Sequence, residues 1–515
     1  MGKYVLGVDV GTTGSKAMVM DLKGKIYGQG YREYTLDYPN KNWVEKGAKF
    51  LLDVTNEAVK DAIDKSGVPN TEIEAVSFSV QRSTFCLYDE DMNVIDDKFY
   101  IWLDSRAEEI MEELNSKMDP ETRNTITGLP GANIYELDKL YWIMKKEPET
   151  YAKIKYIATV MGFIMYEFGA DEFVDEYTNG VVTGLCDVRC HDWCWDLIDA
   201  CGFDRKIFPK LVMSGDIVGG VNEKTAAATG LAVGTKIVAG SGDQQLSAMG
   251  GGVVTDGDVC LIIGTYGNII VGSSNPDFKA LGGMMVPPTP NPEVFEVEGA
   301  QVSGATCYRW CRDVMCEEDI KAAEEEGVDP YVLMGDKYIK NSVPGSNGVI
   351  FYSALFGSGF PTWDTYATGM FLGLRSTTTK ADMVRAVMEG ITLEARHVLQ
   401  GIEGAGVEMS EILTVAGGVA KSPEWLQIIA DVMNRKIRTL KTADTAIIGA
   451  GIMAAIALGE YKDTKDGVAN MVEFGDIIEP IPENVEVYRK CFEAYKAAYY
   501  GLKSEDVFKK LEEIR

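Results

Sequence analysis

The chain has 515 residues, of which 46% are hydrophobic and 25% charged, so it can bury large cores and is not disordered as a whole. Its net charge of −28 should repel nucleic acid and anionic lipid, which argues against both as main partners. The length predicts two to four domains, or two large ones. Because the sequence has neither a secretory signal nor an apolar run long enough to span a bilayer, we expect a cytoplasmic protein without a membrane partner.

The first elements follow a strand–turn–strand pattern. An apolar run over 4–9 ends in Asp9 and is followed by the turn Gly11-Thr12-Thr13-Gly14, a second apolar run and a turn at 21–24. This pattern predicts three strands joined by tight turns. Further on, the sequence predicts a strand over 73–80, a helix over 107–118, a short strand over 236–239 and a helix over 244–249.

The pattern recurs about half a chain later, as an apolar run over 258–263, the turn 264–267 and another apolar run over 269–271. This repeat predicts duplicated domains that meet near three consecutive glycines, over 1–252 and 253–515. A strand over 412–416 is followed by Gly417-Gly418 and by a helix that Ser422 caps. A final helix over 486–502 carries a buried aromatic stripe. The alternation of strands and helices favours an α/β fold.

The three Gly-rich turns that follow apolar strands, at 11–14, 264–267 and 417–420, are candidate phosphate sites. Each would present backbone N–H groups and hydroxyls in one concavity, which suits phosphate oxygens, although any one of them alone is also typical of a plain turn. The P-loop, the dinucleotide-binding GxGxxG motif and the protein-kinase motifs are all missing.

Two carboxylates stand where strands are predicted to end. Asp9 precedes the first turn, where it would either cap that turn or hold Mg²⁺ beside a phosphate. Asp243 begins a predicted helix, where it would either cap the helix or act as the general base that a hydroxyl needs in phosphoryl transfer. Gln244, next to it, could bind a neighbouring hydroxyl of the same substrate.

Polar and aromatic residues after the strand over 73–80 are candidate substrate contacts. Gln81 and Arg82 follow that strand directly, at the kind of strand end where α/β sheets bind ligands. Trp102 and Asp104 could line the same pocket as an apolar wall and a hydroxyl acceptor. Alone, the Gln81-Arg82 pair would equally fit an ordinary surface.

Four cysteines, at 186, 190, 194 and 201, lie close in sequence to His191. Their spacing lacks the paired knuckles of a zinc site, so ordinary core cysteines are the better interpretation. The chain has two histidines in all, which argues against histidine-based triads and multi-histidine metal centres.

Taken together, the motifs resemble the FGGY family of carbohydrate kinases, within the sugar kinase, actin and Hsp70 superfamily. DVGTTGSK at 9–16 and GTYG at 264–267 are similar to the family's two phosphate motifs, and GGVAKS at 417–422 to its adenosine motif. The segment 369–389 fits the family's second signature. The segment 138–146 fits the first signature at Lys139 and Trp142, but lacks the Ser, Thr or Pro expected three residues before Lys139.

The resemblance implies two ribonuclease-H-like domains facing a central cleft, with ATP and Mg²⁺ as cofactors. Asp243 would be the catalytic base, and Asp9 and Asp243 the carboxylates associated with the metal. Implied nucleotide contacts are Gly11, Thr12, Thr13, Lys16, Gly264, Thr265, Gly304, Gly417, Gly418 and Ser422. The resemblance leaves a homodimer open.

The resemblance does not point to a single substrate. Gln81-Arg82 and GDQQ are similar to glycerol kinases, but those carry Glu after the Arg, where this chain has Ser83. Xylulokinases usually have Gln-Met-His at this place, while other stretches resemble xylulokinases and autoinducer-2 kinases. We therefore expect phosphorylation of a primary hydroxyl on a small sugar or polyol such as xylulose, with glycerol, erythritol or an autoinducer-2-type diol as alternatives. An actin- or Hsp70-like nucleotide-driven conformational protein is the alternative from another class.

Overall fold

A computed structural model of the chain describes residues 3–131, 134–274, 281 and 283–514. The chain forms two compact units, each assembled from separate stretches. Unit 1 comprises Met1–Thr255, Ser273–Glu296 and Asp444–Glu473, and unit 2 comprises Asp256–Gly272, Val297–Ala443 and Phe474–Arg515. The first change of unit, after Thr255, lies three residues beyond the predicted boundary, but two later stretches return to unit 1.

The strands of the described residues are, in chain order, β1 (Tyr4–Val10), β2 (Gly14–Asp21), β3 (Ile26–Glu33), β4 (Asp37–Asn40), β5 (Trp43–Gly47), β6 (Ile73–Val80), β7 (Phe85–Tyr88), β8 (Lys98–Tyr100), β9 (Tyr156–Thr159), β10 (Val174–Glu176), β11 (Cys186–Asp187), β12 (Asp192–Trp193), β13 (Lys210–Val212), β14 (Ile217–Gly220), β15 (Lys236–Gly242), β16 (Val259–Ile263), β17 (Gly267–Ser273), β18 (Phe295–Gln301), β19 (Ile350–Tyr352), β20 (Met370–Leu372), β21 (Ile412–Gly417), β22 (Lys436–Leu440) and β23 (Phe474–Ile478).

The α-helices of the same residues are α1 (Ala48–Ser66), α2 (Met111–Asn115), α3 (Pro120–Thr127), α4 (Glu136–Lys146), α5 (Pro148–Tyr151), α6 (Val160–Phe168), α7 (Tyr177–Val181), α8 (Trp195–Cys201), α9 (Glu223–Thr229), α10 (Asp243–Gly250), α11 (Ala305–Met315), α12 (Glu317–Glu326), α13 (Pro330–Met334), α14 (Lys380–Gly404), α15 (Pro423–Met433), α16 (Thr445–Ala457), α17 (Thr464–Met471), α18 (Pro482–Ser504) and α19 (Val507–Glu512). None of the helices in the described ranges combines the length and the apolar character that a bilayer crossing requires.

Unit 1 is built on a six-stranded sheet in the order β14-β15-β6-β1-β2-β3. The three central strands β15, β6 and β1 run parallel, while β2 pairs antiparallel with β1 and β14 with β15. Their side chains are almost all buried, as expected for parallel strands covered on both faces. Helix α16 packs against these three strands. A Cβ at Gly7 would lie 2.5 Å from the Ile447 carbonyl oxygen, so glycine is needed there for the close helix–strand approach.

Unit 2 repeats this plan in the sheet β18-β17-β16-β21-β22-β23. Strands β16, β21 and β22 run parallel, and β17 and β23 pair antiparallel with β16 and β22. Read from the edge of the first hairpin, both sheets place their third, second, first and fourth strands side by side in that order, whereas the last two strands, β14 and β15 in unit 1 and β22 and β23 in unit 2, occupy opposite positions. The four strands that begin with the repeated strand–turn–strand pattern thus have the same arrangement in both units, which supports the predicted duplication.

Most predicted elements agree with the structure, with shifts at their ends. The strand expected over 236–239 continues to Gly242, and the helix expected from 244 begins at Asp243. The helix predicted over 107–118 is wrong in part, because the chain forms a 3₁₀ turn over Arg106–Ile110 before the short α2. In α18 the tyrosines of the predicted stripe are buried, whereas Phe492 is half-buried.

Candidate active site

The carboxyl ends of β1, β6 and β15 meet at one edge of the unit 1 sheet. Asp9 pairs in register with Ser79 of β6, and Ser79 pairs on its other side with Ser241 of β15. Gln81 and Asp243 follow directly after β6 and β15. The parallel pairing therefore brings together the two carboxylates and the glutamine that lie far apart in sequence.

Asp9 is half-buried and accepts a 2.6 Å hydrogen bond from the Ser79 hydroxyl. Its pKa is raised to about 7, mainly because it is withdrawn from water, with further increases from the nearby carboxylates of Asp243 and Asp444. The Ser79 bond acts in the opposite direction, since it favours the charged form. A cation bound at this edge would relieve the same repulsion.

Asp243 is the first residue of α10, and its side chain is 30% exposed. One carboxylate oxygen accepts a 2.7 Å hydrogen bond from the Gln244 backbone N–H and lies 3.7 Å from Nε of Arg82. Arg82 also reaches the Gln245 side-chain oxygen at 3.5 Å. The backbone and the guanidinium thus hold the carboxylate in place while part of it faces solvent.

Gln81 and Trp102 tie the first Gly-rich turn to its surroundings. The Gln81 side-chain amide donates to the Gly11 carbonyl oxygen at 3.1 Å, and the Trp102 indole N–H donates to the Thr12 hydroxyl at 3.0 Å. The turn itself is closed by the Gly11 N–H, which donates to the Gly14 carbonyl oxygen. Thr13 is exposed and Thr12 half-exposed, so their hydroxyls lie at the surface of the turn. The predicted substrate side of the site and the predicted phosphate turn are therefore contiguous.

Asp104 occupies a different environment from the one predicted. Its side chain is fully buried, and both oxygens accept from the Arg106 guanidinium, at 2.9 and 2.8 Å. The Val44 and Arg106 backbone N–H groups bond the same two oxygens. Because these bonds use the acceptor positions of the carboxylate, the geometry favours a role in holding the loop that carries Trp102. A direct substrate contact at Asp104 stays a prediction.

Lys16 forms a 2.5 Å ion pair with Asp444, which immediately precedes α16. Both side chains are about 30% exposed, so the pair lies at the surface of unit 1. Sequence reasoning missed Asp444 because 428 residues separate it from Lys16 and no motif marks it. It also missed Ser79, whose only sequence signal is its alternation with apolar residues at the end of β6.

In unit 2 the second Gly-rich turn, 264–267, is closed by helix α11. The Ala305 N–H donates to the Gly264 carbonyl oxygen at 2.8 Å, and the Gly304 N–H to that of Thr265 at 3.2 Å. A Cβ at Gly304 would lie 2.7 Å from the Tyr266 carbonyl carbon, so only glycine allows this approach. The Thr265 side chain stays exposed on the turn.

The third Gly-rich segment follows β21. Gly417 has a φ of +87°, and its Cβ would collide with the Ile263 carbonyl oxygen, so glycine is required on both counts. A Cβ at Gly418 would meet no atom within 4 Å, which leaves space above its backbone. The Ser422 hydroxyl accepts from the Trp425 N–H at 3.2 Å, which confirms the predicted helix cap at α15.

Among the described residues, no group of three or more His, Cys, Asp or Glu side chains is placed to hold a metal ion. Asp9 and Asp243 nevertheless fit Mg²⁺, because this ion is commonly held by one or two carboxylates together with substrate phosphates and water. In the cysteine cluster Cys186, Cys194 and Cys201 are buried and Cys190 is exposed.

Comparison with known proteins decides the family. The family models "FGGY family of carbohydrate kinases, N-terminal domain" and "C-terminal domain" match residues 4–250 and 260–458. The chain belongs to this family. It is therefore a carbohydrate kinase, a phosphotransferase whose acceptor is an alcohol group.

Curated relatives within the FGGY family carry different substrate names. The chain is 25% identical to "Xylulose kinase" of Bacillus subtilis over 501 residues, covering 96% of this chain and 97% of the relative. It is 26% identical to "Glycerol kinase" of Trichodesmium erythraeum, covering 95% and 97%. It is 25% identical to "Autoinducer-2 kinase" of Salmonella choleraesuis, covering 97% and 94%. At this identity the names do not resolve one substrate.

A solved structure shares the fold of this FGGY kinase. The crystal structure of ligand-bound xylulose kinase from Lactobacillus acidophilus has a TM-score of 0.88 at 23% identity, covering 97% of this chain and 98% of that one. The predicted α/β fold with two domains of the ribonuclease-H-like type is thereby confirmed.

Proposed function

We propose that this FGGY kinase transfers the γ-phosphoryl group of ATP to a primary hydroxyl of a small sugar or polyol, and that its acceptor is a ketopentose such as xylulose. Glycerol, erythritol and autoinducer-2-type diols are the alternatives. The relatives named for xylulose and the stretches that resemble xylulokinases support the ketopentose.

The observation that carries the proposal is the placement of Asp243. Its carboxylate stands at the end of a buried parallel strand, fixed by a backbone N–H and by Arg82, and partly exposed. In the transfer, the acceptor oxygen forms a bond to the γ-phosphorus while the bond from that phosphorus to the bridging oxygen breaks. ADP leaves, and Asp243 accepts the proton of the attacking hydroxyl.

Backbone groups supply most of the phosphate-binding capacity in this proposal. The turn 11–14 of unit 1 and the turn 264–267 of unit 2 would offer backbone N–H groups and threonine hydroxyls, and the segment 417–420 of unit 2 would offer backbone N–H groups. In unit 2, Gly304, Gly418 and Ser422 would contact the nucleoside side of ATP. Mg²⁺, when bound by Asp9 and Asp243, would neutralise phosphate charge.

The acidity of the whole chain does not oppose ATP binding if positive charge is local. Lys16 and Arg82 both lie at the carboxyl edge of the unit 1 sheet, and each is held by an aspartate. An incoming phosphate could replace Asp444 as the partner of Lys16. We therefore expect the KM for ATP to change less than threefold between 50 and 300 mM salt.

The test is an ADP-release assay of the purified chain with D-xylulose, L-xylulose, ribulose, glycerol, erythritol and dihydroxypentanedione. We expect kcat/KM for one ketopentose to exceed those of the other acceptors at least tenfold. No turnover on any of them refutes the substrate range. ATP hydrolysis stimulated only by peptides or by self-assembly would instead favour an actin- or Hsp70-like activity.

A further inference from the structure

The proposed mechanism gives no role to a buried acidic side chain at the start of α4. Glu136 is 1% exposed, and neither of its carboxyl oxygens has a hydrogen-bond partner among the described residues. The buried carboxylate of Glu176, in the same unit, instead accepts bonds from Thr178, Asn179 and Ser214. Since buried polar groups are nearly always paired, an unpaired carboxyl marks a place where a ligand could supply the partner.

The start of α4 and Ser83 lie against the same short segment. The Leu137 N–H donates to the Thr183 carbonyl oxygen at 3.0 Å, and the Ser83 hydroxyl donates to the Val182 carbonyl oxygen at 2.8 Å. Ser83 directly follows Arg82, which lies 3.7 Å from the Asp243 carboxylate. The 182–183 segment therefore contacts both the residue after Glu136 and the residue after Arg82.

A second unpaired acceptor lies on the helix that leads into this segment. The side-chain oxygen of Asn179 in α7 is buried and has no partner among the described residues. The Thr178 hydroxyl of the same helix shares a 2.5 Å hydrogen bond with the hydroxyl of Ser241, which lies in β15 two residues before Asp243. The 178–183 segment thus connects the neighbourhood of Glu136 to the strand end that carries the proposed base.

Two positions in this part of the chain differ from the resembled family. Glycerol kinases carry Glu where this chain has Ser83, and the first family signature has Ser, Thr or Pro where this chain has Glu136. This chain thus lacks a carboxyl group at position 83 and has one at position 136, and residues 83 and 137 both bond the 182–183 segment.

The chemistry of Glu136 indicates what it would bind. Burial raises its pKa well above the usual value, with Asp175 adding to the increase and Lys139 opposing it. Burial favours the uncharged form of a carboxyl group, and that form can both donate and accept a hydrogen bond. It therefore suits the hydroxyl or carbonyl group of an uncharged sugar, and it disfavours a sugar acid.

We propose that Glu136 is a substrate-specificity residue, which hydrogen-bonds a hydroxyl or carbonyl group of a neutral sugar in place of the carboxylate that Ser83 does not provide. This inference rests on the proposed function, since it concerns the acceptor of that reaction. It assigns the sugar-binding role to a residue of α4 that the motif-based site did not include.

The test compares Glu136→Ser, Glu136→Gln and the double variant Ser83→Glu/Glu136→Ser with the wild-type enzyme. Using the best acceptor of the wild type, Glu136→Ser should raise the acceptor KM at least tenfold, with kcat and the KM for ATP within threefold. Glu136→Gln, which keeps a donor and an acceptor, should raise it less than threefold. The double variant should increase kcat/KM for glycerol relative to the best acceptor at least tenfold.

Glu394→Gln is the matched control, because Glu394 is likewise a fully buried carboxyl with one unpaired oxygen, but lies in unit 2. Its acceptor KM should stay within twofold. If Glu136→Ser does not fold, Glu136→Asp takes its place. An acceptor KM within twofold of wild type in the folded variant overturns this inference alone, whereas a wild type inactive on every acceptor refutes the proposed function and this inference with it.

Discussion

Replacing Asp243 with asparagine changes the proposed base while leaving its surroundings almost intact. Asparagine has the same shape, and its side-chain oxygen can keep the 2.7 Å hydrogen bond from the Gln244 N–H. What is lost is the negative charge 3.7 Å from Arg82 and the ability to accept the proton of the acceptor hydroxyl. The substitution therefore removes the ability to accept a proton while the side chain keeps its position.

The expected loss follows from what general bases contribute. A positioned base typically gives a rate factor of about 10²–10⁴, which corresponds to about 3–5 kcal/mol of activation free energy. The ion pair itself adds little, because its nitrogen–oxygen distance of 3.7 Å is long and the Asp243 side chain is 30% exposed, so we expect it to contribute at most about 1 kcal/mol. We therefore expect kcat to fall at least a hundredfold, the KM for ATP to change less than threefold, and the thermal midpoint to stay within a few degrees.

The assay is ADP release at saturating ATP and acceptor, with ATP binding measured separately by calorimetry. The matched control is Asp119→Asn, because Asp119 caps α3 by accepting from the Thr122 N–H and asparagine caps helices equally well. Its kcat should equal that of the wild type. If Asp243→Asn keeps kcat within fivefold while binding ATP normally, proton acceptance by Asp243 is not part of the mechanism.

Substitutions at three further residues test other features. Gly304→Ala places a methyl group 2.7 Å from the Tyr266 carbonyl carbon and should lower the free energy of unfolding by about 1–3 kcal/mol, as measured by urea denaturation. The same substitution should raise the KM for ATP. An unchanged denaturation midpoint would contradict the packing argument. Ser422→Ala removes the acceptor of the Trp425 N–H and should cost about 1 kcal/mol in the same experiment, while Ser422→Asp should restore it. Burial raises the pKa of Glu394 to about 8, so this side chain is protonated in the folded protein at neutral pH. Its contribution to the free energy of unfolding is greatest below pH 4.5 and falls by about 1.4 kcal/mol per pH unit between pH 4.5 and 8. Glu394→Gln should therefore flatten the decline of stability between pH 5 and 8, and an unaltered slope would show that Glu394 is charged in the folded protein.

Local patterns predict the elements that carry the site. Asp9 is recognisable because an apolar run ends at it and a turn follows, and Asp243 because it lies between a predicted strand and a predicted helix. Ser422 is recognisable as a cap because its hydroxyl, the proline after it and the acidic first turn are all local features of a helix start. Such signals depend on neighbouring residues, so one sequence suffices to read them.

Contacts between residues that lie far apart in the chain could not be predicted from the sequence. Nothing near Asp104 indicates that Arg106 and the Val44 backbone occupy its oxygens, because that depends on the way the chain folds back over β5. The Lys16–Asp444 pair likewise depends on the return of the chain to unit 1. The apolar run around α16 predicts burial, but not that the helix would cover the sheet of the first half.

The position of α16 in the chain sets the order in which the protein can be completed during synthesis. Its backbone lies directly on β1 and α10, through glycines at 7, 250 and 449. Yet α16 is translated about 200 residues after the first stretch of unit 1 ends at Thr255. At roughly 5–20 residues per second, that delay is about 10–40 s. Throughout this interval the sheet face around Gly7 has no helix α16 to cover it, so the core of unit 1 cannot be completed until residues 445–457 have been synthesised.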